Sequence, residues 1–270
     1  MTISCVIPTC DRPQHLLEAV ASVLKQTVKP LEIIVVNNGK EKIMLPAGLA
    51  DAVSVHDIIP YAGAAQARNF GAAVAKGDYL AFLDDDDLWP SNYLENVSVA
   101  IGEGARCVVS RQDIMENGKQ VVWKNPYGRT TIDYILVRNP GTGGPNTVIA
   151  RDLFFSVKGY DPKLPPSEDK AMILEVLRAG VPVTTLSDNA VIVGKDRGEF
   201  YLTSYARLAE GVFQFTRKYG KLMSFEQYLY NWSKILYFRY RAGQKWLWPL
   251  AKGLHLLSRV FSPFTLIRNS

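Results

Sequence analysis

Cysteine and histidine are both scarce in this chain. The cysteines, Cys5, Cys10 and Cys107, are odd in number and share no short spacing, which argues against a disulfide framework or a zinc site and for a reducing compartment. His15, His56 and His255 show no ligand spacing either, so no metal is assigned to histidine. No apolar run approaches the roughly 20 residues that a membrane-spanning helix needs. A strand pattern begins almost at the first residue, without the charged and then apolar regions of a signal peptide. Neither a Gly-x-Ser-x-Gly elbow nor a phosphate-binding loop is present to support a hydrolase or a nucleoside triphosphatase. Internal repeats and low-complexity tracts are missing too. What is left is an ordinary globular composition, 270 residues with 47% hydrophobic and 21% charged, expected to be made and kept in the cytoplasm.

Charge is divided unevenly along the chain. Residues 1–196 carry 19 Lys and Arg against 23 Asp and Glu, whereas residues 197–270 carry 12 against 3. The formal charge of +5 therefore belongs to the tail. A basic segment can address nucleic acid, an anionic membrane surface or an acidic ligand, and composition does not choose among them.

Taken in order, the chain alternates strands and helices. Ile3 to Thr9 reads as a strand, with a helix to Gln26 carried by Leu16, Leu17, Ala19, Val20, Val23 and Leu24. Leu31 to Val36 is nearly continuous in Ile and Val, as parallel strands covered on both faces are. Val53 to Ile59 reads as a third strand, Ala62 to Ala75 as a helix and Tyr79 onward as a fourth strand. This alternation predicts an α/β fold with a mostly parallel sheet flanked by helices. From Cys107 the pattern changes to short strands, Cys107 to Ser110 and Val121 to Trp123, around the turn signal Asn117-Gly118. A glycine-rich loop from Asn139 to Asn146, read as flexible, leads to the strand Thr147 to Ala150. Ser167 to Ala179 has helical spacing, with Ser167 as its cap.

The chemistry is concentrated where the fourth strand ends. Tyr79 to Pro90 reads Y-L-A-F-L-D-D-D-D-L-W-P, an apolar run closed by four carboxylates. Such a cluster repels itself unless a divalent cation, a basic partner or water compensates it. In an open α/β sheet the carboxyl ends of the strands are where ligands bind. A solvated acidic turn ahead of a helix starting near Ser91, with Asp87 as a cap, accounts for the same residues.

Together with Val6-Ile7-Pro8-Thr9-Cys10-Asp11-Arg12, with Ile33-Ile34-Val35-Val36-Asn37-Asn38-Gly39 and with Ala67-Arg68-Asn69, this stretch resembles a family 2 glycosyltransferase of the GT-A fold. The resemblance runs from Ile3 to about Val193. It implies a nucleotide-sugar half over about 1–105, an acceptor half over 106–196, and Asp84 and Asp86 at Asp-x-Asp spacing. In that family the signature holds Mn²⁺ or Mg²⁺ on the diphosphate of a nucleotide sugar. By this resemblance Asp86 takes the metal, with Asp84 and Asp85 nearer the ribose, while Pro8, Thr9, Asp11, Arg12, Asn38 and Arg68 meet the nucleotide. Asn38 departs from the family's usual aspartate; its amide oxygen can still accept from a uracil or thymine N–H, but without charge. Arg68 can bind phosphate or a pyrimidine edge, or pair with one of the aspartates, or do both. Asp169, second in a Glu-Asp pair, is implied as the general base of an inverting transfer, although Glu168 and Asp169 also make a good helix start.

The tail, residues 197–270, is helical and aromatic. Lys234 to Arg268 holds seven basic residues and no acidic one. Leu247, Leu250, Leu254, Leu257 and Phe261 share one face, Lys245, Lys252 and Arg259 another, and Trp246 and Trp248 stand near the start. Such a helix suits an anionic membrane interface, or packs its apolar face on the rest of the protein, or both. The resemblance implies a nucleoside diphosphate-sugar donor, UDP first and dTDP next, a glycan or lipid-linked acceptor at the inner face of the cell membrane, and a cell-surface polysaccharide product. Its rivals are a sugar nucleotidyltransferase, for which Cys10-Asp11-Arg12-Pro13 is the wrong loop, and a non-catalytic nucleic-acid module, disfavoured by the tail's apolar face.

Overall fold

A computed structural model describes residues 1–116, 118–194 and 204–260. Asn117 of the expected turn, the 196/197 boundary between the expected regions, Phe261 and Arg268 lie outside the described residues.

The first half runs β1 (Ile3–Thr9), α1 (Pro13–Leu24), β2 (Glu32–Asn37), α2 (Ala47–Ala50), β3 (Val53–Asp57), α3 (Ala64–Val74), β4 (Tyr79–Phe82) and α4 (Tyr93–Gly102). The second runs β5 (Cys107–Glu116), β6 (Lys119–Lys124), α5 (Ile132–Val137), β7 (Thr147–Ala150), α6 (Arg151–Ser156), α7 (Glu168–Arg178) and β8 (Thr184–Val193), followed by α8 (Tyr205–Tyr219), α9 (Phe225–Arg241) and α10 (Trp248–Val260). Eight strands form one sheet in the order β3-β2-β1-β4-β7-β5-β6, with β8 on β5. The pairs among β3, β2, β1 and β4 are parallel, as is β5 with β8, while β7 and β6 join antiparallel. The sheet is therefore mixed, with a continuous parallel part β3-β2-β1-β4 in the first half.

Burial on both faces explains the continuous apolar runs. Val6, Ile34, Leu80 and Phe82 face one core with α3, α6 and α7, whereas Cys5, Ile33, Ala81 and Leu83 face the other with α1 and α4. Those are alternate residues of the same strands, as the two-residue period requires. β2 separates β1 from β3 on one side and β4 flanks β1 on the other, so a crevice opens at their carboxyl ends. Pro8 helps to open it. The β1–β4 ladder stops at Val6 with Phe82, and the next donor on that edge of β1 would be Pro8, which has no N–H.

Several elements depart from expectation. β5 is far longer than the short strand expected, and β8, α5 and α6 were not foreseen. Ser167 precedes α7 but its side chain makes no cap bond. Asp87 does not cap either: it is buried and its Oδ1 accepts from Gly194 N at 2.9 Å. The stretch from Pro140 to Asn146 is buried rather than a flexible loop; the Asn139 and Asn146 side chains bind its backbone.

The tail is built into the rest. Gly211 of α8 is so close to Pro166 that a Cβ there would sit 2.5 Å from the proline Cδ. Lys170 of α7 places its ammonium 3.6 Å from the Phe215 ring centre, Lys218 pairs with Asp161 at 2.8 Å, and Asn231 of α9 donates to Leu136 O at 2.9 Å. α10 packs through Ala251 and Ser258, and Leu247 just before it is buried, while Leu250, Leu256 and Leu257 are exposed. The expected apolar face is thus split, part packed and part facing water. No helix of the described residues is long and apolar enough to cross a membrane.

Gly71 tests the packing of α3 on the sheet. A Cβ there would lie 2.3 Å from Val6 Cγ1, in a wall with no free volume. Gly71→Ala gains about 1 kcal/mol of helix propensity but loses about 1–3 kcal/mol to overpacking, so the urea midpoint should fall with the slope unchanged. A midpoint at or above that of the parent protein would show that Val6 yields.

Candidate active site

Three strand ends and one helix start meet in the crevice. Past β1 the chain turns sharply at Asp11, whose φ of 54° is left-handed, and Arg12 then leads into α1. Asp11 holds the facing loop, its Oδ1 accepting from Lys40 N at 3.0 Å and its Oδ2 from the Tyr61 hydroxyl at 3.1 Å. Gly39 is required there, since a Cβ would meet Asp11 Oδ1 at 2.3 Å. Asn38, after β2, is buried; its Nδ2 donates to Thr9 O at 2.8 Å and its Oδ1 faces Gly63 N at 3.4 Å.

The acidic stretch after β4 divides among three environments. Asp85 is sealed inside, accepting from the Thr9 hydroxyl at 2.6 Å and lying 2.8 Å from Arg12 Nη2. Asp86 is partly open to water and accepts from Arg12 Nη1 at 2.7 Å. Asp84 accepts from Arg68 Nη2 at 2.5 Å. Burial pushes the Asp85 carboxyl up to about 6 in spite of Arg12, and burial together with Asp84 and Asp86 raises Asp87 well above the ordinary range.

Arg68 brings in the last carboxylates. It projects from α3 almost wholly buried, with Nη1 3.9 Å from Glu168 and 3.7 Å from Asp169 at the start of α7. Its guanidinium carbon lies 5.3 Å from the centre of the Tyr160 ring. Gly144 closes the opposite side, where a Cβ would be 2.4 Å from Nη2. The 3.7 Å gap exceeds a hydrogen bond, and neither Arg68 Nη1 nor Asp169 Oδ1 has a hydrogen-bond partner among the described residues. Burial and the neighbouring Glu168 push Asp169 up to about 7 against the pull of Arg68. A carboxylate with one free oxygen and that affinity for a proton is suited to general-base chemistry near neutral pH.

The structure thus brings Thr9, Arg12, Asn38, Arg68, Asp84, Asp85, Asp86 and Asp169 around one crevice. Asp11 stands at its rim and Pro8 contributes backbone rather than a side-chain contact. Sequence reading missed Glu168 as a partner of Arg68, and missed Tyr160 and Gly144. The adjacent glycines Gly143 and Gly144 carried a signal, since glycine pairs occur where something approaches the backbone closely.

A divalent cation fits the crevice. Asp84, Asp85, Asp86, Asp87, Glu168 and Asp169 outnumber Arg12 and Arg68 by a wide margin, and a diphosphate would add further negative charge. Among the described residues, no group of three or more acidic, histidine or cysteine side chains is placed to hold a metal ion by itself. A Mg²⁺ or Mn²⁺ ion here would be held by one or two carboxylates, with substrate oxygens completing the shell.

Comparisons with known proteins bear on the family and the fold. The family model "Glycosyl transferase family 2" matches residues 4–155. An uncharacterized glycosyltransferase of Haemophilus influenzae is 27% identical over 186 residues, 65% of this chain and 62% of that protein. The chain spans about three fifths or less of the first curated relatives it matches. Among solved structures, S. aureus TarS 1-349 in complex with UDP-GlcNAc aligns with TM-score 0.63 at 18% identity, covering 89% of this chain and 72% of that one. The mannosyltransferase PcManGT from Pyrobaculum calidifontis, in complex with GDP-Man and Mn²⁺, aligns with TM-score 0.61 at 16% identity, covering 98% and 77%. At these identities the two structures share the fold.

The raised Asp169 pKa has a thermodynamic sign. A carboxyl whose folded value lies above its ordinary 3.8 contributes stability below that value and loses it as pH rises through about 7. Asp169→Asn should therefore melt higher than the parent protein at pH 8, with the difference shrinking toward pH 4. A lower melting temperature at pH 8 would mean that the attraction of Arg68 outweighs burial.

Proposed function

Because the chain belongs to glycosyl transferase family 2, we propose that it moves a sugar from a nucleoside diphosphate-sugar to a hydroxyl of a glycan or lipid-linked acceptor, with inversion at the anomeric carbon. UDP-sugars are the first donor class and dTDP-sugars the next. Support comes from one observation above the others: Asp169, from the start of α7, is held beside the Asp84–Arg68 pair at the strand ends where a donor would lie. TarS and PcManGT, named with UDP-GlcNAc and with GDP-Man, are consistent with a donor in this crevice.

In this reading residues 1–105 hold the donor, 106–196 present the acceptor and 197–270 attach the enzyme to the inner face of the cell membrane. Thr9, Asp11, Arg12 and Asn38, with the Pro8 backbone, form the nucleoside side of the crevice. Asp86, with Asp84 and Asp85 beside it, would hold Mn²⁺ or Mg²⁺, which when bound offsets charge on the departing nucleoside diphosphate. Arg12 now occupies two of those carboxylates and must shift to release Asp86. Arg68 is too deeply buried to serve mainly as a nucleotide ligand; it fixes Asp84 and Asp169 relative to each other. Asp169 takes the acceptor's hydroxyl proton as that oxygen bonds to the anomeric carbon and the bond to the diphosphate oxygen breaks. The transition state resembles an oxocarbenium ion.

Thermal shifts with UDP, dTDP, GDP and CDP, each with Mn²⁺, Mg²⁺ or EDTA, test the donor reading, because a ligand of the folded state raises the melting temperature. One nucleotide should act only with metal, Asp86→Ala should lose that shift, and Asp169→Asn should keep it while transfer falls about 10²–10⁴-fold. Full transfer by Asp169→Asn would remove the base assignment.

The membrane reading rests on the exposed Trp246, Trp248, Leu250 and Leu257 beside Lys245 and Lys252. The protein should float with phosphatidylglycerol vesicles at low salt, more weakly with phosphatidylcholine, and Trp246→Ala with Leu250→Ser should reduce flotation. Unchanged flotation in that double variant would move the contact elsewhere.

A further inference from the structure

The Gln112–Lys124 edge of the sheet leads from the crevice to a second surface. Gly144 abuts Arg68, and the adjacent Gly143 lies against Gln112, whose amide nitrogen would be 2.7 Å from a Cβ there. Gln112 pairs in register with Lys124, the last residue of β6, so Lys124 stands at the catalytic end of the edge strand. Its electrostatic partner is Asp169. Lys124 also packs against the loop, its Cβ 3.2 Å from the place of a Gly141 Cβ.

The ammonium there has unusual company. It lies 3.9 Å from the centre of the Trp123 ring, and no hydrogen bond or ion pair to it occurs among the described residues. Burial lowers its pKa against the pull of Asp169, which is too far away to form an ion pair. Trp123 is itself 38% exposed on a strand whose residues mostly face water. One face of the indole carries the Lys124 ammonium, and the opposite π face matches the C–H side of a pyranose. An ammonium with free donors matches a carboxylate or phosphate.

We propose that Trp123 and Lys124 form an acceptor subsite for an anionic pyranose, whose ring stacks on the indole while its acidic group meets the ammonium. The subsite rests on the reading of Asp169 as base, since Lys124 is close enough to feel that carboxylate's charge. A neutral sugar would use the indole alone and leave the ammonium unmatched. The acidic group sets specificity, and the indole sets orientation.

Saturation-transfer NMR on the full chain, with UDP and Mn²⁺ saturating, tests this with methyl glucoside, methyl glucuronide and glucose 6-phosphate. At least one anionic sugar should bind about tenfold more tightly than the neutral glucoside, in keeping with one charge-assisted hydrogen bond. Glucuronide or phosphate as the tighter ligand identifies the group. Trp123→Ala should abolish ring-proton saturation for all three, and Lys124→Gln should reduce the anionic sugars to the level of the glucoside. Equal binding of all three sugars, or full saturation in Trp123→Ala, would overturn the proposal. Binding does not require proton transfer, so loss of the Asp169 assignment in the transfer assay and loss of this subsite are separate results.

Discussion

A guanidinium nearly sealed from water must be surrounded by negative charge, and Arg68 takes that charge from stretches remote in sequence. Leaving a buried ion without a partner is strongly destabilising. Asp84 at the end of β4 and the Glu168-Asp169 pair opening α7 are thereby drawn to one point. The Tyr160 ring and the bare Gly144 backbone leave the guanidinium no other place to sit. Removal of any one partner would loosen the alignment of the acidic stretch with the carboxylate proposed as base.

The same shortage of positive charge shapes the rest of the crevice. Arg12 is shared between Asp85 and Asp86, and the carboxyls of Asp85, Asp87 and the partly exposed Asp169 all hold protons more tightly than usual. A site in that condition is poised to accept cations. The sheet supplies the geometry by ending β4 early beside Pro8, so that its acidic continuation splays into the crevice instead of pairing on.

Much of this was legible in the sequence where burial was uniform. β1, β2, β4 and β7 are covered on both faces and appear as mostly apolar runs. Asp84 to Asp86 stood out because four carboxylates follow such a run directly. β6 is exposed along its length and β8 mixes Thr, Ser, Asp and Asn with its apolar residues, so neither carries a strong period. The meeting of Arg68 with Asp169 left no local trace, since it depends on how α3 and α7 pack on the sheet. Nor did the loop from Pro140 to Asn146 look buried; its glycines suggested freedom, whereas they permit the close approach of Gln112 and Arg68. The tail's helices were foreseen, but its apolar face had two destinations and the periodicity could not apportion Leu247 and Leu250 between them.

Gly211 shows where the working unit ends. By pressing α8 against Pro166, it makes the floor under Ser167, Glu168 and Asp169 part of the C-terminal region. Phe215 beneath Lys170 and Lys218 beside Asp161 extend that floor. The family match stops at residue 155, short of the carboxylate on which transfer is proposed to depend. A fragment trimmed to the recognisable motif would keep the crevice's acidic edge and lose the wall opposite it. For this chain, the region beyond the family match is also the part that completes the crevice.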